Sequence, residues 1–244
     1  MRKFVVSILA MIFVFGSLFV LNKNVNATNY SSPLDSSESY LNYLSSYSLT
    51  QALKSGVTTR ALSVEASTNG SEEIIKDFTN LSKQQQETLL SVLRDPKLQK
   101  AIYEGDFEKL PSVIREQFYW SEEVTETPNK NSKAASKTVT HTGKLSALGI
   151  SLTSYKITGQ YEYNSSGATK ALSTKPVVVS NYNPAVDTGL QWYNHYIKSK
   201  EYVGESTFYY RIGVQGVGGF QIGNINLDVA GKQNGKTWGS FYRN

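Results

Sequence analysis

The sequence contains no cysteine and only two histidines among its 244 residues. Without cysteine the chain can form no disulfide bond, no thiolate metal site and no cysteine nucleophile. Neither His141 nor His195 has a carboxylate at the spacing of a metal site or a catalytic triad. The sequence therefore offers almost no residues from which a zinc site or a serine-protease triad could be built. No nucleophile elbow or phosphate-binding loop is complete either. We therefore predict no cofactor, no metal and no enzymatic activity.

Long apolar runs are absent after the first 27 residues. Arg2 and Lys3 precede an apolar run over residues 4–21, and small residues end the segment at Ala27. This order of features is typical of a secretory signal peptide, and we predict cleavage after Ala27 and a secreted mature protein. The run is also long enough for an uncleaved membrane anchor, which is the alternative. Export without cysteine suits a Gram-positive bacterium.

Charge is distributed unevenly along the chain. Residues 28–128 carry 9 basic and 15 acidic side chains, whereas residues 129–244 carry 13 basic and 5 acidic ones. The basic part also holds 14 of the 18 glycines and 10 of the 16 tyrosines. A composition shift at one place indicates a boundary, so we predict a linker over residues 129–137. The candidate processing positions in that linker are Lys130, Lys133 and Lys137.

The acidic part carries signals of helix ends. Ser82 and Gln85 have the spacing of a capping box, Asp95 and Pro96 begin a second helix, and Gly105 ends it. We predict a partly disordered Ser/Tyr-rich segment over residues 28–70 and an acidic helical region over residues 71–128. This region is either a helical domain that docks on the rest of the chain or a propeptide that restrains a basic effector until the linker is cut.

The basic part has the period-two pattern of β-strands. Apolar and polar residues alternate over 155–163 and again over 208–214, with turn residues between the strand-like segments. About seven short strands at this spacing predict an antiparallel β-sandwich over residues 138–244. The predicted fold class is therefore α+β, with a signal peptide, a small helical region and a C-terminal β-sandwich.

Aromatic residues and lysines are interleaved over residues 191–202, and a second aromatic group lies near the C-terminus. Such residues suit a membrane interface, an anionic wall polymer or stacking on sugars. For Trp192 alone, a core position in a strand is favoured over such a contact. The candidate contact residues for an envelope or ligand are Trp192, Tyr193, Tyr196, Lys198, Lys200, Arg211, Trp238 and Tyr242.

Three features follow one another along the chain: a signal peptide, an acidic helical stretch that contains residues 78–86, and a Tyr/Gly-rich cationic end that contains residues 231–236. In this order of features the chain resembles the large cysteine-free secreted bacteriocins of bacilli, of the geobacillin type. The resemblance implies an exported antibacterial protein that acts on close relatives of its producer, with the bacterial envelope as target and an immunity protein as a possible partner. Nucleic acid is not an expected ligand.

Two alternatives to the antibacterial function stay open. The first is a non-enzymatic module that binds the cell wall or carbohydrate through Trp192, Tyr193, Tyr196 and Trp238. The second is a secreted hydrolase that uses a pair of carboxylates. No spacing marks such a pair among the five late carboxylates, which are Glu162, Asp187, Glu201, Glu205 and Asp228.

Overall fold

In the described residues, short helices come first along the chain and eight antiparallel strands follow them. The computed structural model describes residues 32–47, 69–129, 135–213, 220–232 and 236–244, all within one unit, Ser32–Asn244. The predicted signal peptide, its cleavage site after Ala27, and Lys130 and Lys133 of the predicted linker lie outside the described residues. No helix in the described ranges is long and apolar enough to cross a membrane.

The helices begin and end where the side chains satisfy free backbone groups. Ser82 accepts a hydrogen bond from the Gln85 amide, and the Gln85 side chain accepts one from the Ser82 amide at 2.9 Å, which confirms the predicted capping box. Gly105 ends the helix that Asp95 caps, with a left-handed φ of 74°. The helices in the described ranges are α1 (Ser37–Ser46), α2 (Asn69–Asn80), α3 (Lys83–Arg94), α4 (Pro96–Glu104) and α5 (Ser112–Arg115), with a 3₁₀ turn at Phe107–Lys109.

The strands form two antiparallel four-stranded sheets in which chain neighbours pair. This confirms the α+β class. The first sheet contains β1 (Phe118–Pro128), β2 (Ser136–Ala147), β3 (Ile150–Asn164) and β4 (Gly167–Asn181), and the second contains β5 (Val186–Lys198), β6 (Glu201–Gly213), β7 (Phe220–Gly231) and β8 (Thr237–Arg243).

The inner faces of the two sheets pack through aromatic rings. The rings of Tyr161 and Tyr202 stack with centroids 5.3 Å apart, and those of Tyr155 and Phe208 lie 4.9 Å apart. Gly159 lies opposite the Tyr202 ring, where a Cβ atom would overlap ring atoms. The two sheets can therefore approach closely, because a glycine without a side chain leaves room for a tyrosine ring of the opposite sheet.

The helices share this core rather than forming a separate one. The Tyr103 hydroxyl lies 2.9 Å from the Thr153 hydroxyl, and its ring lies 4.9 Å from the Tyr210 ring. The buried Tyr40 of α1 donates a hydrogen bond to the Tyr182 carbonyl at 2.9 Å. Each sheet thus has a buried tyrosine contact with the helical part.

Three predicted segments contain structure that the sequence did not predict. The helical region predicted over residues 71–128 ends early, because residues 118–128 form β1 and each of them pairs with β2. Part of the segment predicted as partly disordered, residues 28–70, forms α1. The end of the predicted linker is also ordered, since Ser136 and Lys137 begin β2 and the Lys137 ammonium lies 2.6 Å from the Glu126 carboxylate. Lys137 is buried and is therefore a poor site for a processing enzyme.

A candidate ligand-binding face on the second sheet

Four aromatic side chains lie on the outer face of the second sheet, at the two edge strands. Trp192 and Tyr196 belong to β5, and Trp238 and Tyr242 belong to β8. The register places Trp192 in line with Tyr242 through Thr207 and Asn226, and Tyr196 in line with Trp238 through Val203 and Ala230. We call Trp192, Tyr196, Trp238 and Tyr242 the aromatic face.

The spacing of strands fixes the distances on the aromatic face. The two aromatic residues on each edge strand are four residues apart, which corresponds to about 14 Å along a strand. Three strand spacings separate β5 from β8, which again corresponds to about 14 Å. The side chains of Trp192, Trp238 and Tyr242 are 44–50% exposed. The rings therefore stand at the corners of a square that is open to solvent.

Polar groups fill the row between the rings. Asn194, Glu205, Asp228 and Ser240 stand opposite one another on the four strands. Directly opposed residues have Cβ atoms about 4.5–5.5 Å apart, so the Glu205 and Asp228 carboxylates are close neighbours. The Tyr196 hydroxyl donates a hydrogen bond to Glu205 Oε1 at 2.8 Å. The centre of the aromatic face is thus a cluster of hydrogen-bond acceptors.

The local charge of this centre is negative. Burial, and to a smaller extent the neighbouring Glu205, raises the pKa of Asp228 from 3.8 to about 6. The hydrogen bond to Glu205 raises the pKa of the Tyr196 hydroxyl, and burial together with both carboxylates raises that of Tyr242. Burial disfavours charge at Asp228 and Tyr242, and the neighbouring carboxylates further disfavour negative charge at all three groups, so an anionic ligand would be repelled.

The first sheet supports the Asp228 backbone from below. The His141 ring is fully buried between the sheets, and its Nδ1 lies 2.7 Å from the Asp228 carbonyl oxygen. Because a carbonyl oxygen only accepts, Nδ1 carries the proton. The Nε2 atom lies 3.2 Å from a Glu122 carboxylate oxygen. His141 is therefore a buried structural histidine that ties β1, β2 and β7 together.

Replacing Asp228 by asparagine should stabilise the protein at neutral pH. A carboxyl whose pKa is raised by folding binds its proton more tightly in the native state, so its ionisation lowers the free energy of unfolding as pH rises from about 4 to about 6. The asparagine side chain would keep the shape and an acceptor oxygen without the charge. We expect a gain of about 1 kcal/mol at pH 7, after allowance for solvent screening, and none below pH 4.

Urea unfolding of wild type and Asp228→Asn at several pH values measures this difference. Parallel pH profiles for the two proteins would show that the Asp228 carboxyl does not titrate abnormally.

The other predicted contact residues lie away from this centre. Tyr193 pairs with the buried Ser206 and so points to the opposite side of β5 from Trp192. Arg211 lies at one end of the sheet, 3.8 Å from the Asp187 carboxylate and over the Tyr209 ring. Lys198 and Lys200 lie at the other end, in and next to the turn between β5 and β6.

The structure therefore places four of the eight predicted residues on one face; Lys198 lies two residues beyond Tyr196 on the same side of β5, and Lys200 and Arg211 lie at the two ends of the sheet. It also adds Asn194, Glu205, Asp228 and Ser240, which the sequence analysis did not group. Period-two alternation along β5 could have separated Tyr193 from Trp192. Across the described ranges, no three His, Asp or Glu side chains are grouped so as to hold a metal ion. No family model, curated protein or solved structure matches this chain.

Proposed function

We propose that this chain is an exported β-sandwich protein that binds a cell-wall polysaccharide through the aromatic face. The observation that carries the proposal is the square of rings around a row of acceptors. Aromatic rings pack against the apolar C–H faces of sugars, and carboxylate, amide and hydroxyl oxygens accept hydrogen bonds from sugar hydroxyls. Since the corners are about 14 Å apart, a chain of several sugars suits the face better than a monosaccharide.

The charge pattern favours a sugar over an anionic membrane. An interfacial site for anionic lipid would place lysine or arginine among the rings. On the second sheet Glu205 and Asp228 hold the centre, whereas Lys198 lies outside the square of rings, beyond Tyr196, and Lys200 and Arg211 lie at the two ends. The overall positive charge of the chain can still attract it to a bacterial surface at long range. Contact at the aromatic face itself would then be made with a hydroxyl-rich ligand.

Antibacterial action, which the resemblance to the large secreted bacteriocins implies, stays a separate prediction. Retention on the wall would concentrate such a protein at its target, and the immunity protein would then be a partner encoded by the producer. Spotting the purified protein on lawns of related bacteria tests this action. Wall binding without clearing on a broad panel would favour the non-enzymatic binding module.

Truncating Trp192 should weaken glycan binding. We expect Trp192→Ala to reduce the affinity for a soluble β-1,4-linked N-acetylglucosamine tetramer about tenfold, because one stacking ring is lost. Isothermal titration calorimetry measures the effect. Tyr193→Ala is the matched control, since Tyr193 is adjacent and equally exposed but lies on the other side of the strand. Raising the salt to about 0.5 M should leave the affinity unchanged, because no ion pair with the ligand is involved.

Three results would count against the proposal. Equal losses in Trp192→Ala and Tyr193→Ala would show that the aromatic face is not the contact. Binding to anionic vesicles but to no glycan would favour the membrane. Release of new reducing ends by wild type, abolished in Asp228→Asn, would instead indicate hydrolysis by the Glu205 and Asp228 pair.

A further inference from the structure

A polar cleft of about 580 Å³ lies between α2 and the outer face of the first sheet. One wall is the sheet, where Lys144 and Lys156 stand among serine and threonine hydroxyls. The other wall is the helix, from which Glu73 and Asp77 line the cleft. The cleft thus has positive charge on one side and negative charge on the other, and neither group belongs to the aromatic face.

The sheet wall is arranged to hold an anion with several oxygens. Lys144 stands opposite Ser154, and Lys156 is the next residue of the same face along β3. Such diagonal neighbours have Cβ atoms about 7–8 Å apart, a separation that one anionic group can bridge between two flexible lysines. In the described chain neither lysine forms an ion pair with Glu73 or Asp77. Both ammonium groups are therefore available to a ligand.

Serine hydroxyl groups line the same wall. Ser146, Ser154 and Ser180 are more than 90% buried as residues and border the cleft. In the described residues these hydroxyls make no hydrogen bond to another side chain and are not among the buried atoms that lack a partner, so they face the open cleft, where a ligand can reach them. A ligand rich in hydroxyl or phosphate oxygens would satisfy them, because a serine hydroxyl both donates and accepts.

The acidic wall places two like charges on one face of α2. Glu73 and Asp77 are four residues apart on α2, so their side chains are neighbours on one helix face. Like charges at this spacing destabilise a helix by a few tenths of a kcal/mol. Their position over the cleft would be useful if the ligand carried a cation on that side.

We propose that this cleft binds a zwitterionic polyol phosphate, with the phosphate on Lys144 and Lys156 and an ammonium group on Glu73 and Asp77. A polyol phosphate chain that bears amino-acid esters combines the required anion, hydroxyls and ammonium in one ligand. The site is separate from the aromatic face and does not depend on the glycan proposal. Two wall polymers of different chemistry would then be held by opposite sheets of the same protein.

Two forms of one polymer test the proposal with the full chain. The first is poly(glycerol phosphate) that carries alanyl esters, and the second is the same polymer after the esters are removed with mild base. The double variant Lys144→Gln/Lys156→Gln should bind both forms about tenfold more weakly, because charge-assisted contacts to phosphate are lost. The double variant Glu73→Gln/Asp77→Asn should bind the alanyl form more weakly and the bare form more tightly.

The decisive result is that Glu73→Gln/Asp77→Asn weakens binding of the alanyl form and tightens binding of the bare form. Lys198→Gln/Lys200→Gln removes the same charge far from the cleft and should change neither affinity by more than about twofold. Trp192→Ala should also leave both affinities unchanged, which separates this site from the aromatic face. The proposal is overturned if wild type binds neither polymer, if the cleft lysines can be replaced without effect, or if neutralising the acids tightens binding of both forms. Thermal unfolding of each variant confirms that it is folded.

Discussion

A fragment that begins at Thr138 should fail to fold, although the composition shift places a domain boundary nearby. The fragment lacks β1 and every described helix. Four of its large aromatic side chains lose a packing partner, because Trp120 contacts Tyr155 and Phe241, Tyr103 contacts Tyr210, and Tyr47 contacts Tyr182. Full burial of such a side chain contributes about 1.5–3 kcal/mol, of which each ring loses a part, and whole domains are stable by only about 5–15 kcal/mol. We therefore expect loss of the cooperative thermal transition in circular dichroism.

A single cut just before β2 in the full chain should have a very different effect. Strand β1 pairs with β2 over its whole length, and Tyr40 and Tyr103 anchor the helices to the sheets. A chain cleaved once between Asn129 and Ala135 should therefore stay together in size-exclusion chromatography and separate only in denaturant. A fragment from Thr138 that melts cooperatively, or cleaved halves that separate without denaturant, would favour the propeptide hypothesis.

Gly159→Val should destabilise the protein strongly. Gly159 faces the fully buried Tyr202, whose ring stacks on Tyr161 and whose hydroxyl donates a hydrogen bond to the Ser173 carbonyl at 2.9 Å. The Tyr202 ring is held by these contacts and has little room to retreat from a branched side chain. Overpacking of this kind costs about 3 kcal/mol. For a chain of this size the melting temperature should fall by roughly 10 °C.

The neighbouring Thr158 provides the control for Gly159→Val. Thr158 is partly exposed on the other face of β3, so Thr158→Val should change the free energy of unfolding by less than about 0.5 kcal/mol. Differential scanning calorimetry of both variants measures the contrast. A Gly159→Val protein that melts like wild type would mean that the two sheets do not approach as closely as the Gly159 and Tyr202 contact requires.

Local chemistry predicted the elements that depend on neighbouring residues. The Ser82 capping box and the stop at Gly105 follow from side chains a few residues apart, and the alternation in β3 and β6 follows from one exposed and one buried face. Strand β1 was missed because its many charged and polar residues do not form an apolar stripe. An edge strand tolerates such residues, and its pairing with β2 is set by contacts outside the local sequence.

The candidate site could likewise be predicted only in part from the sequence. The sequence selects the four aromatic residues of the aromatic face as candidate contacts, because they lie in clusters of aromatic and basic residues. Their position on one common face depends on the register of four strands. Glu205 and Asp228 are far apart in the sequence and meet only because β6 and β7 pair at that position. A slip of one residue would turn one of them to the other face, so the acidic centre could not be predicted without the sheet.

The indole N–H signals of the three tryptophans test the glycan contact most directly. Trp120 provides an internal reference, because its Nε1 donates a hydrogen bond to the Ile102 carbonyl at 3.0 Å, whereas Trp192 and Trp238 are about half exposed on the aromatic face. During titration with the N-acetylglucosamine tetramer, nuclear magnetic resonance should show the Trp192 and Trp238 signals shifting together with one dissociation constant while the Trp120 signal stays in place. Saturable binding that leaves both exposed tryptophans unperturbed would contradict glycan binding at the aromatic face.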